Sequence, residues 1–177
     1  MILVRALVVF ESYFGNTKRI AEAVAEGLSA RLTVDIDEVT DAPPTVGADV
    51  DLVVVGGPTH AFGLTRPTTR ADAVRQAGGT ETATGIGLRE WLDKLPAARP
   101  GTAAACFDTR VSRPRVPGSA ARRARSRLRE HGFTALDPAT TFWVRGTPGP
   151  LVDGELERAR EWGVLLAQRL AELRPVG

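Results

Sequence analysis

The segment Glu11-Ser12-Tyr13-Phe14-Gly15-Asn16-Thr17 decides the fold, because it separates a run typical of a buried strand from a run typical of a helix. Before it, residues 3–10 are rich in Val and Leu, which favours a parallel strand covered on both faces. After it, apolar residues recur at helical spacing: Ile20, Ala23, Val24, Gly27 and Leu28. A strand that turns directly into a helix presents free backbone N–H groups and the positive end of a helix dipole. The segment therefore predicts an anion site, and phosphate is its natural ligand.

The side chains of this segment are suited to a phosphate monoester. Ser12, Asn16 and Thr17 carry hydroxyl and amide donors, and Gly15 allows a ligand to approach the backbone closely. The segment has neither the Gly-Lys-Ser/Thr of a nucleoside-triphosphate loop nor the Gly-x-Gly-x-x-Gly of a dinucleotide loop. Neutral donors without a lysine predict a terminal phosphate.

The rest of the chain alternates between strand and helix patterns, which predicts an α/β fold with a parallel sheet. Further strands are predicted at residues 32–38, 51–56 and 102–107, and a last one within 133–144, interrupted at Asp137-Pro138. Helices are predicted from Pro67, with an apolar stripe of Ala71, Val74 and Ala77, and at residues 88–95, 120–131 and 153–173. Residues 80–87 are predicted to form a loop. Ligands of such sheets bind beyond the carboxyl ends of the strands.

Length and composition favour a single domain over residues 1–177. Hydrophobic residues make up 43% and charged residues 25% of the chain, as in ordinary globular proteins. No apolar run approaches the roughly 20 residues of a membrane span, so we expect a cytoplasmic protein. The lone Cys106 lies in an apolar run and is interpreted as a core residue. No metal site is predicted, because the two histidines and one cysteine match no ligand spacing.

Three loops are expected to meet at the carboxyl edge of the sheet: residues 12–17, 58–64 and 107–118. In these loops the chain resembles the flavodoxin-like family. Ser12-Tyr13-Phe14-Gly15-Asn16-Thr17 is similar to the phosphate loop of that family, Thr/Ser-x-Thr-Gly-Asn-Thr. Gly56-Gly57-Pro58-Thr59 and Phe107-Asp108-Thr109 look like its two flavin loops. The resemblance covers nearly the whole chain.

The resemblance implies a doubly wound, flavodoxin-like sheet of five parallel strands in the order 2-1-3-4-5, with helices on both faces. It also implies FMN as the cofactor, with no catalytic side chain. The implied FMN contacts in the first loop are Ser12, Tyr13, Phe14, Gly15, Asn16 and Thr17. Those in the second and third loops are Pro58, Thr59, His60, Ala61, Phe62, Gly63, Phe107, Asp108, Thr109 and Arg110.

The aromatic and hydroxyl residues depart from the family pattern. Phe14 stands where electron-carrier flavodoxins usually have a hydroxyl, so backbone N–H groups would have to compensate. Those carriers enclose the flavin ring between a Trp in the second loop and a Tyr in the third, whereas this chain offers His60, Phe62 and Phe107. Phe62 is expected to contact the ring. His60 is either a donor at the flavin edge or a solvated residue, and Phe107 is either a contact or the last core residue of its strand.

The charge distribution is a second departure from the acidic electron carriers of this family. Arginines are concentrated in the stretch from Asp108 to His131, where eight of them accompany only two carboxylates. The region 110–129 is either a solvated face or a patch for an anionic partner. Arg110, Arg113 or Arg115 beside the flavin would favour its reduced anion, which predicts a less strongly reducing flavin.

The function best supported by these residues is that of an FMN-binding flavodoxin-like redox protein, which transfers electrons to or from a redox partner protein or a small quinone-like acceptor. One alternative is an FMN-dependent quinone or NAD(P)H oxidoreductase. Another is a flavin-free flavodoxin-fold module with a binding or regulatory role. Nucleic-acid binding is disfavoured, because the basic helix has no interleaved aromatic residues.

Overall fold

The computed structural model describes residues 3–78 and 86–174. In these ranges strands and helices alternate along most of the chain. They are β1 (Arg5–Phe10), α1 (Asn16–Ser29), β2 (Thr33–Glu38), β3 (Leu52–Pro58), α2 (Pro67–Gln76), α3 (Leu88–Lys94), β4 (Ala103–Val111), α4 (Ala120–Glu130), β5 (Thr134–Ala135), β6 (Thr140–Val144) and α5 (Glu155–Leu173). The predicted loop at residues 80–87 lies largely outside the described ranges.

The strands form one parallel sheet in the order β2-β1-β3-β4-β5, which confirms the predicted order 2-1-3-4-5. The fifth position is shared by two strands, because β6 also pairs with β4 in parallel. The break between them falls at Asp137-Pro138, as predicted. Pro138 has no N–H to donate to a ladder, and the carboxylate of Asp137 accepts a hydrogen bond from the indole of Trp162 at 2.6 Å.

Helices cover both faces of the sheet. Residues that alternate along each strand point to opposite sides, so Val8 and Phe107 pack under α1 and α5, whereas Val9 and Cys106 pack under α3 and α4. α1 and α5 approach each other very closely at a glycine: a Cβ added to Gly27 would lie 2.1 Å from a backbone oxygen of α5. The buried Cys106 confirms its interpretation as a core residue.

Two sequence predictions about the pocket region were wrong in detail. β4 continues to Val111 instead of ending at Phe107, because β6 lies alongside residues 107–111 and supplies a partner strand. In α2 the buried residues are Arg70 and Ala73, not the predicted apolar stripe. An arginine can be buried there because carboxylates surround it, which hydrophobic periodicity does not reveal.

None of the helices in the described part of the chain combines the length and the apolar character needed to cross a bilayer.

Candidate functional site

A cavity of about 290 Å³ lies at the carboxyl edge of β1, β3 and β4. The predicted site residues that line it are Ser12, Tyr13, Phe14, Asn16, Thr17, Pro58, Thr59, His60, Ala61, Thr109 and Arg110. Further lining residues come from α2 and from the ends of β4 and β6: Thr69, Asp72, Ala73, Gln76, Val111, Val144 and Thr147. We refer to this cavity as the strand-end pocket.

The first loop has a row of free backbone donors beside the pocket. Gly15 caps α1 with a φ of 88°, in the left-handed region that favours glycine. No group in the described chain accepts a hydrogen bond from the backbone N–H groups of residues 13–17. The hydroxyl oxygen of Ser12 accepts from the N–H of Lys18 at 3.3 Å, which leaves the hydroxyl proton available. The loop is therefore built to receive an anion at the N-terminus of a 14-residue helix.

Asp108 fixes the second and third loops from beneath the pocket. Its side chain is fully buried, and one carboxylate oxygen accepts from Thr59 Oγ1 at 2.9 Å, Ser119 Oγ at 2.6 Å and the N–H of Ala121 at 3.1 Å. The other oxygen accepts from Thr141 Oγ1 at 2.7 Å. With its acceptor sites taken, Asp108 holds the pocket walls together and does not line the cavity as the sequence predicted.

Thr109 joins the third loop to the first two. Its hydroxyl lies 2.8 Å from the hydroxyl of Thr17, and both residues are buried. Its carbonyl oxygen accepts from the N–H of Thr59 at 3.0 Å. The three loops are thus bonded to one another at the back of the strand-end pocket.

One side of the pocket carries an aromatic pair that the sequence did not indicate. The rings of Tyr13 and His60 lie 5.7 Å apart at an interplanar angle of 35°. Burial lowers the pKa of His60, so its imidazole is neutral at pH 7. His60 is therefore a pocket residue and not a solvated loop residue. The turn that presents it is closed by hydrogen bonds between His60 and Gly63 at 2.9 and 3.1 Å.

Phe62 and Phe107 do not face the pocket. Phe62 is 55% exposed and is not among the lining residues, so its contact with a flavin ring stays a prediction. Phe107 is in the core, edge-to-face against Phe142 and Trp162 at 5.9 and 6.0 Å. Gly15 and Gly63 are also absent from the lining, although both shape loops that line it.

A buried charge cluster attaches α2 to the pocket wall. Glu11 accepts from Thr65 Oγ1 at 2.7 and 2.8 Å and lies 3.8 Å from a guanidinium nitrogen of Arg70, which also binds Glu90 through two nitrogens. Burial raises the pKa of Glu11 despite these partners, and burial together with the charge of Glu11 raises the pKa of Tyr13. Because α2 is held here, it can line the pocket. The Pro67 helix start just after the second loop was the one signal of this in the sequence.

The arginines of the predicted basic region 110–129 do not form one patch at the pocket. Arg110 lines the strand-end pocket, with its guanidinium carbon 5.5 Å from the centroid of Trp143. On α4, Arg127 pairs with Asp93, and Arg125 donates to the carbonyl oxygen of Asp137 at 3.2 Å. The pocket therefore receives one arginine of this region, and the others lie elsewhere.

Comparison with known proteins gives structural matches only. No protein-family model matches the chain, and no curated protein matches it. A flavodoxin from the domain Archaea has a TM-score of 0.64 at 19% identity, covering 94% of this chain and 99% of that one. Oxidised Flavodoxin 1 from Bacillus cereus has a TM-score of 0.67 at 17% identity, covering 93% and 97%. A WrbA-like flavodoxin from Agrobacterium tumefaciens has a TM-score of 0.55 at 20% identity, covering 97% and 99%.

The chain has a flavodoxin-like fold. In this flavodoxin-like protein the loop with free N–H groups and the His60 turn both lie at the carboxyl edge, where α/β sheets bind ligands. Within residues 3–78 and 86–174, no group of three or more His, Cys, Asp and Glu side chains is placed to hold a metal ion.

Proposed function

We propose that this flavodoxin-like protein binds FMN in the strand-end pocket and transfers electrons through it. The observation that carries the proposal is the row of free backbone N–H groups at residues 13–17, which span the N-terminus of α1. These donors are neutral, as is the side chain of every residue from Ser12 to Thr17 at pH 7. Such a set suits the phosphate of FMN and gives no lysine for a triphosphate.

The residues of the pocket fit the rest of the cofactor. Phe14 brings no hydroxyl, but its N–H is one of the free donors, so the loop does not depend on its side chain. Tyr13 and His60 offer ring faces, and the neutral imidazole has one N–H and one acceptor nitrogen for the polar edge of a flavin. Bound FMN would supply the redox chemistry, while the protein supplies binding, orientation and electrostatics.

Arg110 supports a flavin that is less strongly reducing than that of an acidic carrier. It is the arginine of the basic region that lines the pocket, so its positive charge would favour the negative charge that a bound flavin gains on reduction. We expect Arg110→Gln to lower the midpoint potential for full reduction of bound FMN, measured by redox titration. Arg129→Gln, on the exposed side of α4, removes the same charge and should leave the potential nearly unchanged.

The electron partner is proposed to be a redox protein or a small quinone-like acceptor. The second and third loops each expose one apolar residue, Phe62 at 55% and Val116 at 47% exposure, which could meet either kind of partner. Oxidation of NAD(P)H with a quinone acceptor by the FMN-loaded protein would favour the enzymatic alternative, because a carrier alone would not catalyse it.

The proposal is tested by adding FMN to the purified protein and following the flavin absorption bands through gel filtration. Co-elution of one FMN per chain is expected, with bands shifted from those of free FMN. Phe14→Thr restores a hydroxyl to the loop and should bind at least as tightly. Absence of flavin from both the parent and Phe14→Thr, with folding intact, would overturn the proposal in favour of a flavin-free module.

A further inference from the structure

A second concave site lies beside the strand-end pocket, where the segment after β4 meets β6 and the residues that follow β6. It has a volume of about 590 Å³ and is lined by Ser112, Arg113, Arg115, Trp143, Arg145 and Val152. We call it the arginine groove. Three of its six lining residues are arginines, and one of these, Arg145, comes from a part of the chain that the sequence had not marked as basic.

Two guanidinium groups lie over the indole ring of the groove, one from the groove itself and one from the neighbouring pocket. The guanidinium carbon of Arg115 lies 5.0 Å from the centroid of Trp143, and that of Arg110 lies 5.5 Å from it. Arg110 is also held by the carbonyl oxygen of Val116. The carboxylate closest to the groove arginines is Asp153, 3.3 Å from Arg145, and its side chain is 96% exposed. Three arginines against this one carboxylate leave the groove with a net positive charge.

We propose that the arginine groove binds the diphosphate group of a nucleotide. Guanidinium forks bind phosphate oxygens in pairs and also stack on planar rings, so arginines around an indole suit a ligand with both a phosphate and a base. The volume of the groove lies within the roughly 300–1,000 Å³ typical of small-molecule sites. An acidic protein would instead require roughly 800 Å² of contact on this side, more than six residues around a concavity provide.

The groove and the strand-end pocket share the β4–β6 ladder. Val111 pairs with Val144, and both line the pocket; Arg110 pairs with Trp143, which lines the groove. A nucleotide whose phosphates occupy the groove therefore has its other end close to the pocket mouth. The position of this nucleotide beside a redox centre rests on the proposed function, whereas the binding of its phosphates in the arginine groove does not.

Trp143 gives the experiment its signal. Trp91 and Trp162 are 5% and 7% exposed, whereas Trp143 is partly exposed in the groove. The full-length protein without added FMN is titrated with ADP, adenosine and inorganic pyrophosphate, with tryptophan fluorescence as the readout and calorimetry as the check. We expect saturable quenching by ADP, absent in Trp143→Phe, and binding at least about tenfold tighter for ADP than for adenosine.

A charge-matched pair of variants separates a site from general attraction. Arg113→Gln/Arg115→Gln should weaken ADP binding at least about tenfold, because each lost fork removes charge-assisted hydrogen bonds. Arg122→Gln/Arg129→Gln removes the same charge from exposed positions of α4 and should have little effect.

Three results would overturn the proposal: equal weakening by the two double variants, no saturation with ADP, or tighter binding of a polyglutamate peptide than of ADP. The last would identify the groove as a surface for an acidic protein. FMN retention is measured on the same preparations. If the protein binds ADP but does not retain FMN, the proposed function is contradicted and the assignment of the groove stands. If it retains FMN but does not bind ADP, the assignment of the groove is contradicted and the proposed function stands.

Discussion

Glu11 and Asp108 are two buried carboxylates that support different walls of the strand-end pocket by different means. Glu11 is 3% exposed, and its partners include the charged Arg70. Asp108 is 0% exposed and is bound by three hydroxyl groups and one backbone N–H, with no cation among its hydrogen-bond donors. Glu11 secures the helix α2, whereas Asp108 secures β6, the start of α4 and the second loop.

The difference shows two ways of keeping a buried negative charge. A cation compensates the buried carboxylate strongly, but it is itself a second buried charge. Removing either partner leaves the other charge buried and uncompensated. Neutral donors compensate it in smaller steps, and each can be lost separately. The wall at Glu11 should therefore be the more fragile of the two.

The largest expected effect is that of Arg70→Met. Arg70 is 3% exposed and lies between Glu11 and Glu90, so its removal leaves Glu11 buried without a cation. Breaking a buried ion pair in this way costs roughly 3–5 kcal/mol in the free energy of unfolding, measured by urea denaturation.

Arg75→Met is the matched control for this variant, because Arg75 lies on the same helix in an exposed pair with Asp72. It should change the unfolding free energy by at most about 1 kcal/mol. Equal losses from the two variants would show that the cluster at Glu11 is not what secures α2.

Asp108→Asn should have an intermediate effect. The amide oxygen can take the position that accepts three donors, and its NH₂ group would face Thr141, whose hydroxyl can rotate to accept. The variant loses the charge that strengthens these hydrogen bonds, which should lower the free energy of unfolding by about 2 kcal/mol. The exposed Asp41→Asn should change it far less. A loss above that of Arg70→Met would reverse the proposed ranking of the two walls.

The smallest expected effect is on the pH dependence of stability, which should differ between Glu11 and its neighbour Glu90. Burial raises the folded-state pKa of Glu11, so its contribution to stability is full below its unfolded pKa and declines as pH rises through the higher folded value. The hydrogen bonds and charge of Arg70 lower the pKa of Glu90, whose contribution is present above its unfolded pKa and is lost as pH falls through the folded value.

Urea denaturation at several pH values should therefore show opposite trends for two variants. Relative to Glu11→Gln, the parent should lose stability as pH rises from about 4.3, the ordinary pKa of a glutamate side chain. Relative to Glu90→Gln, the parent should lose stability as pH falls below that value. Parallel profiles would contradict the described division of roles within the cluster.

Much of the fold could be predicted from the sequence, because its signals are local. Strand and helix periodicity indicated the order of the elements. The helix predicted at residues 120–131 corresponds to α4, which the hydroxyl oxygen of Ser119 caps by accepting from the N–H of Arg122 at 3.2 Å. Gly15 was singled out because a glycine lets a ligand approach the backbone closely, and the structure shows in addition that its φ is positive, at 88°. The family resemblance then supplied the strand order, which periodicity alone does not determine.

The parts that were missed depend on distant partners. Nothing near Arg70 in the sequence reveals Glu11, which lies 59 positions earlier, so α2 was given an apolar face. The end of β4 depends on β6, which begins 29 residues after Val111. One signal for these residues was available in the sequence. If β4 is extended to Thr109, side chains that alternate between the two faces of the sheet place Phe107 in the α1–α5 core and Asp108 on the α4 side.

The most direct test of the central claim compares the dissociation constants of FMN and riboflavin for the same protein. These ligands differ only in the phosphate, which the free N–H groups of residues 13–17 are proposed to bind. We predict that FMN binds at least about 100-fold more tightly than riboflavin, the effect of one to two charge-assisted hydrogen bonds. Equal affinities for the two flavins would contradict the account, because they would show that the first loop does not hold the phosphate.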